Sequence, residues 1–259
     1  MAYIHYGVLL AGGLCLGMLA MLELGRRIGD RLERLDPEGA HTGTGAVEGA
    51  VFALLGLLIA FSFSGAASRF DTRRDLIVEE ANDIGTAYLR LDLVPPAAQP
   101  ALRALFRRYL DTRLEVYRAL PDLGAAVDAL GRAERLQGDI WSQSIAACRD
   151  AGPQPCAILL LPALNAMFDI TSTRTAAARM HPPAVIFWLL CGLGLGCALL
   201  AGYSMATGSR RKWMHMIAFA AVMGLTVYVI LDLEFPRLGL IRVDAFDQVL
   251  VDVRASMDR

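Results

Sequence analysis

Lysine is almost missing from this chain: Lys212 is the only one in 259 residues, and arginine supplies the other basic side chains. That bias follows base composition rather than chemistry, but the totals do exclude something. Lys and Arg together number 25 against 26 Asp and Glu, a net charge of -1, whereas nucleic-acid binding needs a clustered basic surface. Catalytic motifs are missing too, with no G-x-S-x-G, H-E-x-x-H, P-loop or dinucleotide-binding fingerprint. The histidines, His5, His41, His181 and His215, sit one to a segment boundary with no Cys or acid at ligand spacing. No metal, no cofactor, no nucleic-acid partner and no enzyme activity are expected. Period-two alternation of useful length is absent, so strands are not expected, and there is no internal repeat or low-complexity segment.

What the chain has in excess is apolar surface. Hydrophobic residues make up 55% and mean hydropathy is +0.44, above the roughly 45–50% of a soluble domain. Four uncharged segments reach the length, about 20 residues, that a helix needs to cross a bilayer: Tyr6–Leu22, Gly49–Ser68, Ala184–Ala206 and Trp213–Leu231. The first has no basic residue before it and no small-x-small cleavage site, so it reads as a retained span rather than a secretory signal. The expected fold is an all-α membrane protein with four transmembrane helices and a helical extramembrane domain between the second and third. Residues 1–68 give the first transmembrane pair, 69–182 the extramembrane domain, 183–235 the second pair and 236–259 an amphipathic C-terminal tail.

The second span organises the rest. Past Arg69, apolar residues continue at three- and four-residue steps through Phe70, Ile77, Ala81, Ile84, Tyr88 and Leu91, with no proline before Pro95. This predicts one long helix, in lipid for its first half and amphipathic for its second. Residues 25–45 read as a polar loop with a turn at Pro37-Glu38-Gly39. Further helices are predicted over Ala97–Leu120, Leu123–Cys148 and Ala157–Met180. The first of these turns Leu102, Phe106, Tyr109 and Tyr117 to one side, with Arg103, Arg107, Arg108, Asp111 and Arg113 facing elsewhere. The second is capped by Asp122 and carries Val127, Leu130, Leu136, Ile140, Trp141 and Ile145. Pro162 either starts or kinks the third. A short amphipathic helix, Asp244–Met257, follows with Asp244 as cap. Gly13 with Gly17 and Gly192 with Gly196 form small-xxx-small pairs, which predict close helix contacts.

Orientation follows from arginine and lysine in short loops. Arg26, Arg27, Arg31 and Arg34 fall on the same side as Arg210, Arg211 and Lys212 when the N-terminus is outside, which makes the helical domain periplasmic in a bacterial inner membrane. Arg69, Arg73 and Arg74 directly after the second span oppose this. Cys148 and Cys156 flank RDAGPQP, where either a disulfide, stable only in an oxidising compartment, or two free thiols fits. Cys15, Cys191 and Cys197 lie in apolar spans as packing residues.

Chemistry concentrates on the second span and its extension. Leu54, Leu57, Phe61 and Phe63 suit a hydrophobic constriction, and Ser62, Ser64, Gly65 and Ser68 are small or weakly polar, as in a pore lining; ordinary helix packing explains the same composition. Glu79, Glu80, Asn82 and Asp83 read as a solvated face with i,i+4 pairs to Arg73, Arg74 and Arg90, in preference to a site for a cation or a partner's arginine. Asp232 and Glu234, where the fourth span ends, are predicted to pair with Arg69, Arg73 and Arg74, joined by Asn165 and Asp169.

Two blocks, GLLIAFSFSGAASRFDTRRDLIVEEANDIGTAYLRLDLVP and LDLEFPRLGLIRVDAFDQVL, resemble the bacterial bestrophin-like family of membrane proteins. A more distant similarity is to the bestrophins proper, which are pentameric anion channels. Their second transmembrane helix also continues outside the membrane, through a pattern matched here by Ser64, Ala66, Arg69, Phe70 and Arg73. The resemblance implies a homo-oligomer in the lipid bilayer, a pentamer by analogy, that passes small anions. It places Leu54, Leu57, Leu58, Phe61 and Gly65 nearest the pore neck. Bestrophins hold their extramembrane helices in the cytosol, against the charge reading above, and this chain lacks the acidic stretches of the animal channels' calcium clasp. Two functions fit: a bestrophin-like anion channel with the second helix lining the pore, or a non-conducting scaffold or sensor whose helical domain binds a partner or ligand.

Overall fold

The computed structural model describes residues 2–35, 44–150, 155–207 and 213–258, and no strand occurs among them. His41, the Pro37-Glu38-Gly39 turn and the Arg210-Arg211-Lys212 cluster lie outside the described residues. The helices are α1 (Ala2–Leu35), α2 (Thr44–Leu89), α3 (Gln99–Arg118), α4 (Leu123–Asp150), α5 (Pro155–Arg179), α6 (Ala184–Ser204), α7 (Trp213–Glu234) and α8 (Gln248–Ser256). Four helical stretches are long and apolar enough to cross a membrane, within Gly7–Leu35, Gly45–Leu93, Cys156–Ser204 and Trp213–Glu234. The protein is an all-α, multi-pass membrane protein.

As expected, α2 is one helix, 46 residues long, or about 69 Å at ~1.5 Å per residue. It closes in a 3-10 turn, Arg90–Leu93, and the extended Val94 that follows (φ -85, ψ 158) has the conformation a residue before proline prefers. The chain divides into two compact units. One is Met1–Ser68 with His181–Phe235, the other Arg69–Met180 with Pro236–Arg259.

In the first unit α1 packs against both α6 and α7. Three glycines permit the contact with α6. A Cβ on Gly25 would lie 1.9 Å from the Leu199 carbonyl oxygen, one on Gly29 2.7 Å from that of Tyr203, and one on Gly202 2.0 Å from that of Leu22. Here backbone touches backbone, which only glycine allows. The expected pairs are not the contacts. Added Cβ atoms on Gly13, Gly192 and Gly196 meet nothing within 4 Å, and one on Gly17 meets only the Leu195 side chain, at 3.1 Å. The expected loop after residue 24 is also corrected, since α1 runs on to Leu35. Its charges support the helix: Arg26 bonds Glu23 at 3.0 Å and Asp30 at 2.5 Å, at i,i+3 and i,i+4 spacing.

In the second unit α3 and α4 pack face to face. The α4 face is a stripe of small residues, Ala126, Ala129, Ala133 and Ala147 with Leu136 and Ile140, all buried. Alanine at helical spacing lets the axes approach; Val127 lies off this stripe and is 66% exposed. Asp122 caps α4, its Oδ1 accepting from the Ala125 N–H at 3.1 Å. Pro162 lies inside α5 rather than at its start. Ile77 and Ile84 of α2, Phe106 and Leu110 of α3, and Leu160, Leu164 and Met167 of α5 form one core with Leu250 and Met257 of the tail. Burial of each such side chain contributes roughly 1.5–3 kcal/mol. The tail begins with a 3-10 turn, Asp244–Asp247, whose N-cap residue is Val243 rather than Asp244. Asp244 pairs instead with Arg237 at 3.2 Å and Arg242 at 2.5 Å.

Candidate functional site

The membrane half of α2 has two unlike faces. Leu55 and Ala66 are buried, Phe52 meets Phe219 edge to face at 6.3 Å, and Glu48 accepts a bond from Ser204 at 2.5 Å. A different face is exposed. Leu54 is 56% exposed, Leu57 53% and Phe61 69%; Ser64 and Ser68 are exposed and Gly65 half-buried. Leu54, Leu57, Phe61, Ser64 and Ser68 alternate steps of three and four, the seven-residue seam by which helices of a bundle meet. Upstream the seam takes in Val47 and Ala50, and downstream Asp71, Asp75, Val78 and Asn82, all exposed.

The opposite face of α2, in the second unit, carries a buried ionic cluster. Glu80 has no exposed surface and Arg113 of α3 has 2%. Glu80 Oε1 accepts from Arg113 Nε at 2.6 Å. Its Oε2 accepts from the Tyr117 hydroxyl at 3.0 Å and from Arg174 of α5. Arg113, Arg174 and Arg237 all lie over the Tyr117 ring, their guanidinium carbons 5.2, 4.3 and 4.5 Å from its centroid. Arg237 is in turn held by Asp247 at 2.8 Å and Asp244 at 3.2 Å. Three guanidiniums thus face three carboxylates, the condition under which buried charge is tolerated. Burial, with Glu80 adding to it, pushes the Tyr117 phenol well above its usual range. The phenol therefore remains a protonated donor. Every member is satisfied and none is a free nucleophile, so the cluster is an anchor.

This corrects the reading of 79–83 as a wholly solvated face. Glu79 and Asn82 are exposed and Asp83 is half-buried, but Glu80 lies in the core and pairs with other helices. Arg73 is buried as well, donating from Nε to the Ala177 carbonyl at 3.1 Å and from Nη2 to that of Met180 at 2.8 Å. It thereby serves the carbonyls that the end of α5 leaves open. Arg74 lies 3.4 Å from Asp71 and 3.7 Å from Asp75, with its guanidinium 5.3 Å from the Phe246 centroid. Arg69 is half-buried, and Asn165 and Asp169 are exposed.

Within the first unit, Asp232 and Glu234 are buried at the end of α7. Asp232 accepts from the Tyr228 hydroxyl at 3.2 Å. Glu234 faces His181 Nδ1 at 3.6 Å, whose ring lies 4.5 Å from that of Phe235. In the second unit Cys148 and Cys156 are disulfide-bonded, with Cα atoms 5.4 Å apart.

Sequence reasoning missed Arg113, Tyr117 and Arg174 as partners of Glu80, and Arg237 as the residue that closes the cluster over Tyr117. One signal was present: position 80 falls between Ile77 and Ile84, on the face that the apolar spacing already assigned to the core. A family model described as a Bestrophin-like domain matches residues 28–245. No curated protein and no solved structure matches the chain.

Proposed function

The chain belongs to the bestrophin-like family, and from that premise we propose that it assembles as a symmetric homo-oligomer around α2 and passes small anions through a pore that α2 lines. The observation that carries this reading is the exposed seam Leu54, Leu57, Phe61, Ser64, Ser68 on a helix whose buried positions, Leu55 and Ala66, lie on a different face. In a bilayer such a seam meets lipid or other helices, and the serines favour helices around a wetted axis. Leu54, Leu57 and Phe61 form the dewetting constriction; Ser64, Gly65 and Ser68 form the wider, weakly polar mouth. Arg74, beside Asp71 and Asp75, offsets part of their charge for an anion leaving that mouth.

In this reading the helical unit faces the oxidising side of a bacterial inner membrane. The Cys148–Cys156 bond supports that side, because thiols in a reducing cytosol stay unpaired. The arginines at the end of α1 agree with it.

The test is reconstitution of the purified protein in liposomes. Chloride or iodide flux above that of empty vesicles, from particles with several copies about an axis, is the expected result. A monomeric or dimeric particle without flux under any gating condition overturns the channel and leaves the scaffold or sensor.

A further inference from the structure

One turn beyond Glu80, α2 and the turn after it leave a cleft of about 230 Å³ against α5. Asp83, Thr86 and Arg90 line one side, and Pro162, Ala163 and Ala166 the other. None of these residues belongs to the ionic cluster or to the bare seam. Asp83 is half-buried, and no hydrogen bond or ion pair joins its side chain, or that of Thr86, to another described residue. Arg90 lines the same cleft and keeps its charge, but it makes no ion pair with Asp83; its Nη1 donates to the Leu159 carbonyl at 2.5 Å. The nearest acid inward, Glu80, is already matched by Arg113 and Arg174.

A carboxylate held against an apolar wall without an ion-pair partner favours a ligand that brings one. A divalent metal is a poor match, since Ca²⁺ takes about six to eight oxygens and the cleft offers one carboxylate and one hydroxyl. An ammonium is a good match. Its three N–H groups suit the two Asp83 oxygens and the Thr86 hydroxyl, and a short alkyl chain suits Pro162, Ala163 and Ala166. The volume is below the roughly 300 Å³ at which drug-sized pockets begin, so the ligand is small. We propose that this cleft is a binding site for a small primary amine, its ammonium on Asp83 and Thr86 and its alkyl chain on the α5 wall. The site does not depend on ion conduction. If α2 does line a pore, the ligand acts on that same helix.

The test is titration calorimetry of n-butylammonium chloride into the full chain in detergent, at matched ionic strength. Wild type should bind saturably with one site per chain, and n-butanol should not bind. Asp83→Asn should weaken binding by about tenfold or more. Glu79→Gln, which removes an exposed acid one turn away, should leave it unchanged. Ala166→Phe, which fills the cleft, should abolish it. Asp83→Asn removes an unpaired charge, so its melting temperature should match wild type. No saturable heat with wild type, equal binding of n-butanol, or equal affinity in Asp83→Asn overturns the site.

Discussion

The Glu80 carboxylate and the Arg113 guanidinium meet at 2.6 Å with almost no surface open to water. Between them α2 is fixed to α3, and through Arg174 and Tyr117 the same carboxylate reaches α5. Arg237, over the same phenol ring, brings in the start of the tail. The water-facing half of α2 is therefore held by charge on one face while its other face stays open. A helix that lines an axis needs both conditions.

Glu80→Gln should destabilise the helical unit strongly, because it keeps the shape and leaves Arg113 and Arg174 buried without their counter-charge. Breaking a buried pair on one side costs about 3–5 kcal/mol. Glu79→Gln, on the exposed side, should stay within about 0.5 kcal/mol of wild type. Denaturant titration of both variants in detergent reads the difference, and equal midpoints would remove the anchor role.

Glycine positions offer a second contrast within the first unit. A Cβ on Gly25 or Gly202 runs into carbonyl oxygens of the facing helix, whereas one on Gly13 or Gly192 meets open space. Gly25→Ala and Gly202→Ala should each lose roughly 1–3 kcal/mol or more by forcing the helices apart. Gly13→Ala and Gly192→Ala should be neutral or slightly stabilising, as alanine favours the helix. Thermal unfolding of the four purified variants separates the pairs; an order that does not follow the contacts contradicts the α1–α6 packing.

The four spans and the long helix were legible because lipid imposes a simple rule: long charge-free runs, and three-to-four spacing where the helix leaves the membrane. The continuation of α1 past Glu23 was not. Arg26, Glu23 and Asp30 look like loop composition one residue at a time, and only their i,i+3 and i,i+4 spacing marks a helix. Glu80 was misplaced for a related reason: counting apolar residues alone hides a charged residue in the same register. Partners such as Arg174, 94 positions away, follow from tertiary packing that no local pattern encodes. Gly25 and Gly29 repeat the spacing of Gly13 and Gly17; which pair is used depends on the facing helix.

The disulfide ties stability to location. Closing the short loop between Cys148 and Cys156 should contribute about 2–3 kcal/mol on the chain-entropy account, so Cys156→Ser should lower the melting temperature measurably. In spheroplasts, a membrane-impermeant maleimide should label Cys148 only after reductant is added. Labelling without reductant denies the bond in the cell, and labelling only after the membrane is permeabilised puts the helical unit on the cytosolic side.

The seam itself gives the sharpest functional contrast. Phe61 lies on it and is the most exposed of its three large residues. Phe63, two residues on, points about 200° away around the helix, at ~100° per residue. If the seam faces the axis, Phe61→Ala widens and wets the narrowest apolar stretch, and anion flux in liposomes should rise about threefold or more. Phe63→Ala removes as much apolar surface from the same helix and should leave flux near wild type. Equal effects from both would mean that bulk helix stability sets the rate. A larger effect from Phe63 would turn the helix over and place Ser62, rather than Ser64, towards the ion.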